Sequence, residues 1–245
     1  MGKACALETI KRDGRVMLIG RSSEKLVSAK QELLSQVPQA DVSIMSLDAS
    51  NEKEVKAFAE SLEQSTWDAL VISAAAKAAH GPMLSLSTSD TRDMIETKVF
   101  TAYHCAKYIS PKLCEGGAVV FVAGILNRRP GMNCVPLAMS NGALEALTRS
   151  LALEWGPRLR VNCLSPGFAD TERFDHMHPQ LKQKMLANTA ASLPLQKVGQ
   201  PSDMGQALYY LSTAPFCTGT ILDVDGGHGI RQYANPKDDP MRSKT

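Results

Sequence analysis

The stretch Gly117–Thr171, GAVVFVAGILNRRPGMNCVPLAMSNGALEALTRSLALEWGPRLRVNCLSPGFADT, constrains the fold more than any other. Ala118–Val122 is an unbroken apolar run, as a strand buried on both faces requires. A loop with Arg128, Arg129, Pro130 and Gly131 follows it. Over Leu137–Trp155 the apolar residues fall at helical spacing, with Leu144, Leu147 and Leu151 on one face and Ala143, Ala146 and Ser150 beside them. Gly156-Pro157 ends that helix. Arg160–Leu164 then reads as a second buried strand, and Ser165-Pro166-Gly167 turns the chain out of it. A strand, a long helix and a second buried strand need a crossover, and so a parallel sheet.

The rest of the chain repeats this alternation. A helix over 3–12 precedes a strand at Val16–Gly20. Ser22 or Ser23 caps the next helix, which reaches about Ser35. Val42–Leu47 is a strand with Asp48 at its tip, and Asn51 caps a helix running to Glu63. Ala69–Ser73 is another strand, and a helix over Ser89–Ile109 ends before Pro111. Phe174–Leu193 has no clear period; a helix over Ser202–Ser212 and a strand at Gly219–Val224 follow it. Repeated strand–helix units predict a single α/β domain over 1–230, a doubly wound parallel sheet with ligands at the C-terminal strand ends. Residues 231–245 form a polar, charged tail.

Composition narrows the function. The formal net charge is +2 with both signs interspersed, which supplies no basic patch for nucleic acid. No apolar run reaches membrane-span length. The six cysteines (Cys5, Cys105, Cys114, Cys134, Cys163 and Cys217) show no metal-ligand spacing, and several lie in apolar elements. Reduced core thiols in a cytoplasmic or other reducing, soluble compartment are therefore expected.

The helix frame followed by RVNCLSPGFADT resembles the short-chain dehydrogenase/reductase family, and the resemblance extends over nearly the whole chain. It implies a Rossmann-like fold, a nicotinamide dinucleotide and a carbonyl/alcohol substrate. It also implies that the first strand and Gly-rich loop are missing, with Gly2 and Lys3 standing for the last of that loop. Because that strand belongs mid-sheet, two facing unpaired edges and an apolar slot are expected. A truncated gene product is the first explanation; a rearranged sheet or a strand donated by a partner are the alternatives.

Cofactor contacts carried over by resemblance fall on Gly2, Lys3, Arg21, Ser22, Asp48, Ala49, Ser73, Ala74, Ala75, Asn141, Pro166, Gly167 and Thr171. The second strand ends in Gly20-Arg21 rather than an acidic residue. Arg21 suits a 2′-phosphate, so NADP(H) is expected ahead of NAD(H); an ordinary surface arginine is the bland alternative. For Asp48 the alternative to adenine contact is a local cap.

The catalytic positions depart from the family. Gly124 stands where the family has Ser, and Leu137 and Asn141 stand for Tyr and Lys. Lys98 (or Thr97, one residue away) stands for Asn. Without positioned acid–base chemistry, worth about 10²–10⁴-fold, carbonyl reduction needs a substitute group. Lys98, Tyr103, His104, Ser140 and Cys134 are the candidates, and Arg128 and Arg129 could meet an anionic substrate. His176 and His178 lack a convergent third ligand for zinc, and Asp223, Asp225, Gly226 and Gly227 lack EF-hand spacing.

Two function classes stay open. One is an NADP(H)-dependent oxidoreductase with a non-standard site. The other is a pseudoenzyme kept as a cofactor-sensing or structural subunit. By resemblance, the helices over 89–109 and 137–155 form a homodimer or homotetramer face.

Overall fold

The computed structural model describes residues 1–74, 79–175 and 177–230, with Arg173 by its backbone alone. The first half alternates α1 (Gly2–Ile10), β1 (Val16–Gly20), α2 (Ser23–Gln36), β2 (Val42–Ser46), α3 (Glu52–Ser61) and β3 (Trp67–Ile72). Next come α4 (Thr88–Ile95), α5 (Thr101–Ile109), β4 (Leu113–Val122), α6 (Val135–Trp155) and β5 (Leu159–Pro166). The chain continues through α7 (Pro179–Ala191), α8 (Pro201–Thr213) and β6 (Ile221–Val224). Local chemistry sets several boundaries. Ser22 accepts the Lys25 N–H at 3.3 Å at the start of α2, and Asn51 accepts the Lys53 N–H at 3.1 Å at the start of α3.

Every strand pair is parallel. In the core of the larger sheet, Ala118, Val119, Val120 and Phe121 of β4 are wholly buried. Its side chains alternate between two helix layers. Val119 and Phe121 pack with Phe58 of α3, Ala102 of α5 and Leu144 of α6. Ala118, Val120 and Val122 pack with Cys5 of α1 and with Met204, Leu208 and Leu211 of α8. Burial on both faces explains the unbroken apolar run. Helix α8 reaches α1 closely because position 205 is glycine: a Cβ there would lie 2.6 Å from the carbonyl carbon of Ala4.

The sheet is split. β1 pairs only with β2, while β3-β4-β5-β6 form a second sheet. The free edges of β1 and β3 both line one cavity of about 2200 Å³, the slot expected from the sequence. Val16 N–H bonds the Asp41 carbonyl at 3.0 Å, and the Gly20 carbonyl accepts from Leu47 N–H at 3.0 Å. Alternation along β1 therefore turns the main-chain groups of Met17 and Ile19 into the cavity.

Three details differ from expectation. β4 starts at Leu113 rather than Ala118, because Leu113 pairs with Trp67 before a register shift. Helix α6 starts at Val135, with Pro136 in the first turn where its missing N–H costs nothing. The aperiodic segment holds α7, none of whose residues is buried, so burial imposed no pattern on its sequence. The expected tail, 231–245, lies outside the described residues.

Candidate active site

The upper end of the cavity, at the C-terminal ends of the strands, gathers most of the expected site. Gly2, Lys3, Arg21, Ser22, Ser73, Ala74, Lys98, Gly124, Leu137, Asn141, Pro166, Gly167 and Thr171 all line it. Asp48 and Ala49 do not, and Ala75 lies outside the described residues. Asp48 instead accepts bonds from the Ser50 N–H at 3.0 Å and hydroxyl at 2.6 Å, which hold its carboxyl below the usual range. It closes the turn before α3, whose cap is Asn51 rather than Asp48.

Helix α1 opens its first turn onto this space. It has no side-chain cap and no acidic residue in that turn, so its amides and dipole favour an anion. A Cβ at Gly2 would stand 2.5 Å from the Ser73 hydroxyl oxygen, which would have to rotate away. The Lys3 ammonium is held by Glu32 at 2.6 Å and Glu172 at 3.1 Å. These partners, Glu32 first, raise its pKa and offset its charge. Lys3 thus ties α2 and the loop after β5 to α1. Gly167 lets that loop pass the turn after β6, where a Cβ would meet the Asp225 backbone at 2.6 Å.

The best-defined geometry is at the end of β4. Between α4 and α5 the helix widens into a π-turn, Glu96–Phe100. From it Lys98, 8% exposed, donates to Asn141 Oδ1 at 2.6 Å and to the Ala123 carbonyl at 3.2 Å. Thr97 turns the other way and donates to the Asp93 carbonyl at 2.6 Å, so of these two neighbours it is Lys98 that enters the interior. Asn141 is 2% exposed. Gly124 completes the group, because a Cβ on it would stand 2.9 Å from Asn141 Nδ2, and its φ of 150° suits glycine. The half-buried Leu137 lines the space one helical turn before Asn141.

The other candidates are placed elsewhere. Ser140 donates to the Pro136 carbonyl at 2.9 Å within α6. Tyr103 is 44% exposed and edge-on to Phe100, and His104 packs against the same ring; neither lines the cavity. Arg128 is a clamp rather than a substrate ligand: it binds Glu145 at 3.1 Å, Ser165 at 2.8 Å and both oxygens of Asp223. Those carboxylates, Asp223 first, raise its pKa. Cys134 does line the cavity, and so do His80 and His228, which sequence reasoning missed for want of any motif around them. His178 precedes α7, and His176 lies outside the described residues. Asp225 accepts from the N–H groups of Gly227 at 2.8 Å and Gly229 at 2.6 Å, as a turn residue does. Among the described residues no cluster could hold a metal.

Residues 1–229 match the family described as enoyl-(acyl carrier protein) reductase. The chain belongs to the short-chain dehydrogenase/reductase family. Carbonyl reductase family member 4 of Danio rerio is 28% identical over 230 residues, covering 93% of this chain and 92% of that protein. The short-chain dehydrogenase/reductase ATR9 of Stachybotrys chlorohalonatus (strain IBT 40285) is 40% identical over 110 residues, 45% of this chain and 43% of that one. A solved small-chain dehydrogenase in complex with NADPH superposes with a TM-score of 0.75 at 29% identity, over 88% of this chain and 99% of the other. Within this short-chain fold, Lys98 and Asn141 face each other across the cleft, so the ammonium enters from the α4–α5 helix and the amide from α6. No helix among the described residues is long and apolar enough to cross a membrane.

Proposed function

We propose that this short-chain family member is an NADP(H)-dependent oxidoreductase acting on a carbonyl/alcohol pair through a rebuilt site. The observation that carries the reading is the mutual fit of Lys98, Asn141 and Gly124. The family pattern puts the lysine on the later helix and the asparagine on the earlier one; here the two are exchanged, and their side chains still bond. Decay of unused residues has no reason to preserve a buried ammonium beside an acceptor, because burying a charge without partners is costly. Gly124 belongs to the same change, since it leaves room for the Asn141 amide.

The cavity suits the dinucleotide. The uncapped first turn of α1 would hold the pyrophosphate, Arg21 the 2′-phosphate, and Pro166, Gly167 and Thr171 the nicotinamide end. When bound, NADPH supplies the hydride. Charge then develops on the substrate oxygen, and the Lys98 ammonium is the buried cation set to offset it. The protonating group is sought among His80, His228 and Cys134, which line the cavity and carry a transferable proton.

The test is a fluorescence titration with NADPH and NADH, followed by turnover on a carbonyl and enone panel. Lys98→Met is expected to lower kcat/KM by about 10²-fold or more. The exchanged pair Lys98→Asn with Asn141→Lys is expected to recover most of that loss, because it returns the charge from the other helix. A second reading rests on Leu137, which carries no proton at the family's tyrosine position. NADPH binding with no turnover by the wild-type chain on any panel member would favour a cofactor-sensing pseudoenzyme.

We also infer a homodimer or homotetramer through α4–α5 and α6. Phe100, Tyr103, Met139 and Leu153 leave an apolar face at 40%, 44%, 52% and 87% exposure. Ala143, Ala146 and Ser150 are exposed beside it, small enough for close helix approach. Light scattering reads the mass directly.

A further inference from the structure

We propose that Arg128 is a positioning residue for this cleft, one guanidinium setting its reacting end and its nicotinamide end through two separate arms. The proposal rests on the NADP(H)-dependent activity proposed for this chain. Arg128 does not line the cavity, so it acts through its neighbours. Its donors meet acceptors on three different elements: Glu145 of α6, Ser165 of β5 and Asp223 of β6. Nε serves the first and the two Nη groups serve the others, so either arm can be cut without the other.

The first arm runs to the Lys98–Asn141 pair. Arg128 Nε donates to Glu145 Oε1 at 3.1 Å, and the Glu145 side chain is only 4% exposed. Arg149 approaches the same carboxylate no closer than 3.8 Å. Glu145 follows Asn141 by about one helical turn on the same face of α6. On the other side of this bond, the Arg128 N–H donates to the Ile125 carbonyl at 3.0 Å and closes the turn that leaves Gly124. Gly124 is the residue whose missing side chain makes room for the Asn141 amide. The arm therefore holds both members of that close contact, the loop after β4 and the face of α6.

The second arm runs to the loop after β5. Ser165 and Asp223 are partners across the β5–β6 ladder, and Arg128 binds both. Nη2 donates to Ser165 Oγ at 2.8 Å and Nη1 to Asp223 Oδ2 at 2.8 Å. The next pair is Pro166 with Val224, and the Gly167 N–H then bonds the Val224 carbonyl at 3.0 Å. Just beyond, Asp225 holds the turn against which Gly167 packs. A lysine could supply the charge alone. Its ammonium is a point donor and cannot join a buried carboxylate to a strand pair as a planar fork does.

The test cuts the arms one at a time in the full 245-residue chain, with Glu145→Gln and Asp223→Asn. Both keep the side-chain shape and an oxygen acceptor, whereas Arg128→Ala would leave Glu145 buried without its nearest cation. NADPH affinity is read by fluorescence titration, kcat on the carbonyl and enone panel, and folding by thermal melting. Glu145→Gln is expected to lower kcat about tenfold and to leave the NADPH Kd within about twofold. Asp223→Asn is expected to raise that Kd about fivefold and to leave kcat at saturating NADPH within about twofold. Arg128→Lys is expected to show both losses. Parallel losses of kcat and affinity in the two single-arm variants, tracking the melting temperature, would overturn the proposal, since the guanidinium would then only hold the fold together. So would variants that match the wild type in both quantities. A wild-type chain that binds NADPH but turns over no panel member sinks the proposed activity by itself. A selective loss of affinity in Asp223→Asn would then still support the positioning role, and equal affinities would overturn it. A wild-type chain that binds no NADPH overturns both.

Discussion

Lys98 shows how one side chain can be readable in a sequence while its role is not. Its place at the family's asparagine position made it one of five candidate substitute groups, with no partner named. Its bonds to Asn141 and to the Ala123 carbonyl make it half of an exchanged pair. Gly124→Ser is the direct check on that fit. A serine there meets the Asn141 amide and must take up a φ of 150°, so a loss of roughly 1–3 kcal/mol is expected in chemical denaturation. Restoring the family serine alone should therefore harm the protein rather than revive it. The thiols give a second prediction. Burial pushes Cys5 up to about 11, and Cys105 and Cys163 up to about 12. These three stay protonated at pH 8, so iodoacetamide should leave them unmodified in the native protein and label them once it is unfolded. Labelling of Cys163 in the folded state would mean that β5 opens.

Among the helix pairs, α1 and α8 pack together most extensively. Gly205 allows the approach, and its sequence context, PSDMGQAL, gave no sign of this because a mid-helix glycine is otherwise only unfavourable. On an isolated helix Gly205→Ala would stabilise. Here the added methyl enters the Ala4 backbone at 2.6–2.8 Å, so a net loss of about 1–3 kcal/mol is expected by thermal unfolding. The core strands were legible as apolar runs, since β4 and β5 are buried on both faces over those runs, but the start of β4 was not. The π-turn at Glu96–Phe100 was not. ETKVF has no helix-breaking residue, and the turn is visible only where Lys98 enters the interior.

At the scale of the whole molecule, the split sheet governs how stability is distributed. The larger sheet buries residues 117–122 of β4 and 161–166 of β5, whereas Ile19 of β1 is 37% exposed and no residue of that strand is buried. Native-state hydrogen exchange should therefore be fast at Met17 and Ile19 and slow at Val119, Val120 and Val161. Uniform protection across both sheets would mean that the edges of β1 and β3 are covered in solution. The clamp of Arg128 on Glu145, Ser165 and Asp223 holds the opposite side together, joining the loop after β4 to α6, β5 and β6.

The sequence alone determined the fold class and the order of the elements, from periodicity and from turn and cap residues, while the positions expected to differ from the family's catalytic residues came from the resemblance. Only the tertiary structure decided what the side chains at those positions meet. Lys98 and Asn141 lie 43 residues apart, and no local pattern states that their side chains meet. The same holds for Arg128, whose partner Asp223 lies 95 residues on and which the sequence offered only as a loop residue able to meet an anionic substrate. Spacing along a chain reports which face a side chain leaves from; what it meets depends on how distant elements pack, and that packing turned an apparent loss of chemistry into a paired, buried charge.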